Sequence, residues 1–425
     1  LGYDAGTAIT TGDYNTIIGT YAADALTTGS YNVAVGNAAL SAQTTADNNT
    51  AVGTGALNAN TTGSTNTALG RSALNVNTTG AQNVAIGAYA LDASTTAGDN
   101  TAIGYEALTA NTSGSQNTGV GHRSLIVNTT GLGLCAFGVG ALTYNSTGNY
   151  NAAFGRNALN ANTTAHDNAA FGAFALNANT TGAGNVGVGA SALAANTTGA
   201  MNTAVGYHAL KASDGDHNTA FGHSALIANT TGDNNLAVGR DTLTANTSGA
   251  RNTAVGRGAL AANTTVSNNT AVGYEALNDN TTGTENTAVG KGALDANTTA
   301  SENTAIGSNS LTANTTGINN TGLGYGALSA NTTANYNTSV GSHSLQDNTT
   351  GASNTAVGYL ALADNTTASN NTAVGMNALL ANTTGDQNTA VGKNALSTVT
   401  TASENTALGY YAGNSITSGT QNTAI

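Results

Sequence analysis

The chain has 425 residues, of which 7% are charged, and its nine Lys and Arg against 21 Asp and Glu give a net charge of −12. So few basic groups exclude the cationic stripe of a nucleic-acid-binding protein, and no run approaches the ~18 apolar residues of a membrane-crossing helix. Proline is absent and Cys135 is the only cysteine, which excludes a disulfide framework and argues against a disordered linker.

The first element is a variant of the regular repeat that fills the middle of the chain. Leu1 stands at the fourth place of a repeat, so the chain begins in mid-layer, as a processed or partial product would. Residues 2–12 match 409–419: Gly6 and Gly413 stand where other layers have Leu, and Ile9 and Ile416 where they have Asn. One apolar group has moved three places along, so segments 1–31 and 409–421 form a second repeat type bracketing the array. Neither end carries a polar cap, which isolated solenoids need. Leu1, Ile9, Ile416 and Ile425 are therefore the candidate end-to-end contacts between subunits.

From Asn15 the chain repeats Asn-Thr-Ala-Val-Gly-x-x-Ala-Leu-x-Ala-Asn-Thr-Thr-Gly-x-x, with new copies opening at Asn252, Asn269 and Asn286. Every interval is 17 residues except Asn202 to Asn218, which is 16. A fixed short period means one structural layer per repeat. Seventeen residues cannot hold two helices and their turns, and Gly, Asn and Thr are poor helix formers. Positions 1 to 5 read as a strand ended by a glycine, 8 to 12 as a second strand, and Asn-Thr-Thr-Gly at 12 to 15 as a turn. The expected fold is all-β, a parallel β-roll or β-solenoid of about 25 coils of 17 residues, with 1–425 a single array. At ~4.8 Å per layer it makes a rod of roughly 120 Å.

Within a layer, position 4 is always apolar (Val52, Ile86, Val255) and position 9 is Leu from Leu40 to Leu396. These are expected to fill the interior, with position 2 half-buried beside them. By alternation position 3 faces out, yet it stays small. Ala51, Ala254, Ala271 and Ala288 at position 3, with Ala56 and Ala276 at position 8, are the expected contact ladders between identical chains.

Asn-Thr-Ala-Val-Gly at 252–256, 269–273 and 286–290 resembles a shortened form of the Asn-Ser-Val-Ala-Ile-Gly-like core in the head repeats of trimeric autotransporter adhesins. It is also similar to arrays in phage tail-fibre-like and bacterial surface proteins. The resemblance covers essentially the whole chain and implies a left-handed parallel β-roll that associates as a trimer.

Three stacked phenylalanines, Phe137, Phe154 and Phe171, read as a thicker patch of core. The 16-residue layer, irregular over 207–217, replaces Asn-Thr-Thr-Gly with Ser-Asp-Gly. His208 and His223, on adjacent layers near Asp214 and Asp216, are the candidate metal ligands, though solvated charges at a shortened turn explain them more simply.

No Ser/His/Asp or Cys/His set concentrates anywhere, so an enzyme is not expected, and no cofactor is implied. Position 12 makes Asn-x-Ser/Thr sequons, including Asn60, Asn111, Asn145, Asn263, Asn331 and Asn382, readable as glycosylation sites or as an amide ladder bonded from layer to layer. The ladder is favoured, because glycans ~4.8 Å apart would crowd. Asn at 12 and Thr at 14 also suggest, at low rank, an ice-binding array. Tyr, His, Arg and Glu gather at positions 6, 7, 16 and 17, where a fibre would meet a surface glycan or receptor. The expectation is a non-enzymatic structural or adhesive fibre segment, extracellular or on a cell or virion surface. Its partner is itself, as a lateral trimer or an end-to-end filament.

Overall fold

A computed structural model describes residues 2–425; the candidate contact at Leu1 lies outside the described residues. The fold is an all-β parallel β-solenoid, with one three-residue strand in each coil except the last, Thr423–Ala424, and no helix among the described residues. The chain forms two compact units, one ending at Asp214 and one running Gly215–Ile425, so the division falls within the irregular 207–217 layer. In the first unit twelve strands, from Thr16–Ile18 to Thr203–Val205, pair each with the next. In the second, thirteen do so from Thr219–Phe221 to Thr423–Ala424. Pairing is parallel and offset by one repeat: Val33 meets Thr50 in the first unit, and Thr253, Ala254 and Val255 meet Thr270, Ala271 and Val272 in the second.

The strand faces are the reverse of those expected. Position 3 is the inward residue: Ala51, Ala254, Ala271 and Ala288 have no exposed surface, nor do Ala56 and Ala276 at position 8. They cannot touch another chain. Positions 2 and 4 point outward together, as residues two apart on a strand must. Val272 is 36% exposed, Ile306 38%, Leu323 43% and Phe221 55%.

The reason is width. The coil interior already holds Leu at position 9, fully buried from Leu40 to Leu396, and the buried Asn side chains of positions 1 and 12. Only a small group fits at position 3 between them. A Cβ placed on Gly322 would lie 3.4 Å from Leu311 Cγ of the preceding layer, and one on Gly119 would lie 3.0 Å from Ser124 Oγ at position 8. Where position 3 enlarges to Ser339, position 8 is Ser344, and Ser339 Oγ donates to the Ser344 carbonyl at 2.8 Å.

The second expected strand, positions 8 to 12, is instead a run of turns. The position 8 amide bonds back to the glycine carbonyl of position 5 (Ala259 to Gly256, 3.2 Å), and the position 12 amide to the leucine carbonyl (Asn263 to Leu260, 3.2 Å). Leucine at position 9 adopts positive φ, 52° at Leu260, as does position 7, 52° at Glu275. A left-handed L-residue costs about 1–2 kcal/mol. Complete burial of a leucine, at about 1.5–3 kcal/mol, offsets this. Backbone bonds still reach the next layer from these turns, such as Leu57 N to Ala73 O at 2.9 Å and Ala59 N to Asn75 O at 2.9 Å. With amides so committed in turns as well as strands, proline has no place.

The variant layers obey the same volume rule. A Cβ on Gly6 would lie 3.3 Å from Ile9 Cδ1, and one on Gly413 would lie 3.3 Å from Ile416 Cδ1. The isoleucine of position 12 therefore occupies the space that Leu of position 9 fills elsewhere. Both isoleucines are part-buried in their own coils, while Ile425 is 94% exposed.

Candidate functional surfaces

Two buried amide ladders define one edge of the coil. At position 1, an Asn typically accepts the backbone N–H of its successor on Oδ1 and donates Nδ2 to the position 15 carbonyl of its own layer. For Asn269 the two donations are its N–H to Asn252 Oδ1 at 3.0 Å and its Nδ2 to Gly283 O at 2.9 Å. At position 12, Nδ2 donates to the preceding Oδ1 and to the same position 15 carbonyl: Asn145 to Asn128 Oδ1 and Gly148 O, both 3.0 Å. These bonds satisfy most of the buried amides; Asn77, Asn196 and Asn382 keep an unpartnered Oδ1 and Asn371 an unpartnered Nδ2.

Asn60, Asn111, Asn145, Asn263, Asn331 and Asn382 all belong to this second ladder and are fully buried. Their Nδ2 atoms already donate: Asn60 to Gln43 Oε1 at 2.9 Å, Asn111 to Gly114 O at 2.9 Å, Asn263 to Asn246 Oδ1 at 3.0 Å, Asn331 to Asn314 Oδ1 at 2.8 Å and Asn382 to Gly385 O at 2.9 Å. A glycan on any of them would occupy the core, so the sequon reading gives way to the ladder. The ice-binding array fails on the same ground, since it needs the position 12 amides outside.

His208 stacks on Tyr207 with centroids 3.8 Å apart in the first unit, and His223 Nδ1 lies 3.8 Å from Asp241 Oδ1 in the second. Among the described residues no three His, Cys, Asp or Glu side chains gather as a metal site would require.

The structure gives Asp214 a different task. In ordinary layers the amides of positions 13 and 14 both donate to the position 13 carbonyl of the next layer, as Thr61 and Thr62 do to Thr78. In the shortened layer position 13 is Asp214, and its side-chain carboxylate accepts these amides instead. It accepts Thr197 N at 2.5 Å, Thr198 N at 3.0 Å and Thr197 Oγ1 at 2.8 Å. Burial pushes the carboxyl up, but these donors outweigh it and hold the group below its ordinary 3.8. A lowered carboxyl stabilises the fold above its unfolded value and ceases to as pH falls through the folded value. Asp214→Ala is therefore expected to lower the melting temperature at neutral pH, with the gap to the parent closing as pH falls below 3.8; melts across about pH 2 to 7 check this.

The turns of positions 6 and 7, with 10 and 11 beside them, carry much of the side-chain variety, alongside positions 16 and 17. Arg71 lies over Tyr89 at 4.7 Å and Arg156 over Phe174 at 4.6 Å, each cation covering an aromatic ring of the next layer. Clefts open where position 7 is glycine. One of about 260 Å³ lies beside Gly140 between His122, Arg123, Val139 and Tyr144, and one of about 230 Å³ beside Gly326 between Tyr325 and His343. Around the first, Tyr105 stacks on His122 at 5.6 Å and Arg123 pairs with Glu106 at 3.4 Å.

A more uniform surface is the outward strand face of each unit. Position 2 is Thr in every strand of the second unit except at Leu236, and position 4 is Val, Ile, Leu or Phe throughout. Neither position carries a charge in any strand. Cys135, expected to face inward, stands here half-buried at position 2 beside Phe137. The phenylalanines expected in the core stand here too: Phe137, Phe154 and Phe171 stack in parallel at successive centroid distances of 4.8 Å.

Hydrophobicity alone assigns position 4 to the core and so conceals this face. The signal that locates the interior is nonetheless present: positions 3 and 8 both stay small, Ala, Gly or Ser, in every layer but those of Ile17 and Thr242. No family model matches the chain, and no curated protein matches it.

Proposed function

We propose that this chain is a non-enzymatic fibre segment whose copies associate side by side through the strand face, outside the cell on a cell or virion surface. The observation that carries the reading is the outward ladder of branched and aromatic side chains at position 4, uncharged in every layer while the interior is already closed. A protein of net charge −12 that keeps every carboxylate off the strand face of each unit is arranged for contact with a surface that is itself uncharged. A second copy offers that surface at the same layer spacing. Twelve strands ~4.8 Å apart on a face about 10 Å wide give roughly 600 Å² in the first unit. The thirteen-strand face of the second unit gives a similar area, so each unit by itself reaches the low end of the ~600–1,000 Å² per partner of a standard interface.

The variable turns, with their cation–aromatic pairs and clefts, lie off this face and are left for the surroundings, which is the adhesive part of the proposal.

Sedimentation velocity tests the association. The parent is expected to run as an oligomer, and Val272→Asp with Val289→Asp as a monomer of unchanged circular dichroism. A monomeric parent would end the proposal.

A further inference from the structure

A uniform ladder has a weakness as an interface. Because Thr or Val at position 2 and a branched apolar residue at position 4 recur in most layers, a copy that slips by one layer finds almost the same contacts, losing only those at one end. Strand faces without a distinguishing feature are prone to such slippage. In the first unit one stretch of this face differs from the rest in two ways at once.

In the strands Cys135–Phe137, Ala152–Phe154 and Ala169–Phe171, the large ring at position 4 coincides with a small residue at position 2. Other layers of the first unit have Thr or Val at position 2 and Val, Ile or Leu at position 4. The three rings stand in a parallel stack, with Phe137 38% and Phe171 42% exposed. The result is a ridge three layers high beside a notch three layers high. Phe221, in the second unit, has Thr219 at position 2 and no stacked phenylalanine neighbour, so it makes no such pair.

We infer that Phe137, Phe154 and Phe171 with Cys135, Ala152 and Ala169 form a knob-and-notch register lock by which a second copy of this chain docks layer for layer. When a like strand face is rotated about an axis running along the ladder, strand direction reverses across the contact. Position 4 of one copy then meets position 2 of the other. With equal layers aligned, each ring enters the Cys or Ala notch of its counterpart. Slipped by three layers or more, the ridge lands wholly on Thr and Val ladders, which stand too high to admit it, and the notch is left void. Both errors are costly in a packed contact, the one as overpacking and the other as a void. The same bulk therefore rewards one register and penalises the others.

The inference rests on the side-by-side association proposed for the strand face, and its test separates the two. In a Cys135→Ala background, which keeps the notch small, Thr147→Cys puts one spin label on an exposed turn away from the strand face. Pulsed dipolar spectroscopy of the oligomer is expected to show one narrow intermolecular distance. Adding Phe137→Val, Phe154→Val and Phe171→Val, all at exposed or part-exposed ladder positions, leaves the oligomer by sedimentation but replaces that distance with several, the loss of a unique register. The same narrow distance in the triple variant, or several distances already in the parent background, would overturn the lock while leaving association standing. A monomeric parent background overturns association itself and the lock with it.

Discussion

Ala271→Asp is expected to cost about 3–5 kcal/mol, the range for an uncompensated buried charge, whereas Val272→Asp, one residue on, is expected to leave the coil's own stability nearly unchanged. Ala271 has no exposed surface, and its methyl group lies between the leucine and the small position 8 residue of a coil with no spare volume. A carboxylate there has no donor to meet it, since the interior amides are engaged in their own ladders. It must either take up a proton or open the layer. Val272 is 36% exposed on the strand face, so its replacement reaches water at once. Urea denaturation of the two variants as monomers, each in the Val289→Asp background, measures the contrast. Equal midpoints would mean that the strand faces are assigned wrongly.

This pair also marks the limit of what the amino-acid sequence makes legible. The period, the parallel layering, the glycine at every bend and the position 12 amide ladder follow from residue type and spacing alone, because each recurs without regard to its surroundings. The inside and outside of a three-residue strand do not. Alternation fixes that positions 2 and 4 share a face, but not which face, and hydrophobicity points the wrong way. In a broad core the largest apolar residue is the inward one. In a coil whose interior is filled by one leucine and two asparagines, only Ala, Gly or Ser fits inward, and Val is driven out. The second strand fails for a related reason. Nothing in the residue type of Leu260 announces a φ of 52°, a conformation imposed by the need to turn the chain tightly while keeping that side chain inside. The candidate contact surface moves with the faces: the ladder at Ala271 becomes core, and the ladder at Val272 takes its place.

Two glycines of one layer supply the second large effect. Gly256 at position 5 has φ 128°, and a Cβ on it would lie 2.3 Å from the Gly273 carbonyl oxygen and 2.6 Å from its carbon. These are backbone atoms of the next layer, held in turn against Gly290, so no side chain can swing aside to make room. Gly258, two residues on, has φ 69° and would place its Cβ 3.4 Å from Glu275 Cγ, an ordinary contact with a flexible chain. Non-glycine residues already occupy position 7 in this conformation, Glu275 at φ 52° and Asn309 at φ 57° among them. Gly256→Ala is therefore expected to destabilise by about 3 kcal/mol, combining left-handed strain with overpacking. Gly258→Ala should change stability by less than about 1 kcal/mol, because the entropy lost from the unfolded chain offsets most of the residual strain. Hydrogen exchange locates the damage as well as its size. Protection should fall in the layers around Gly256 and Gly273 and persist in distant layers, since each layer touches only its neighbours. Loss of protection throughout the second unit at once would show instead that its thirteen strands open as one cooperative body.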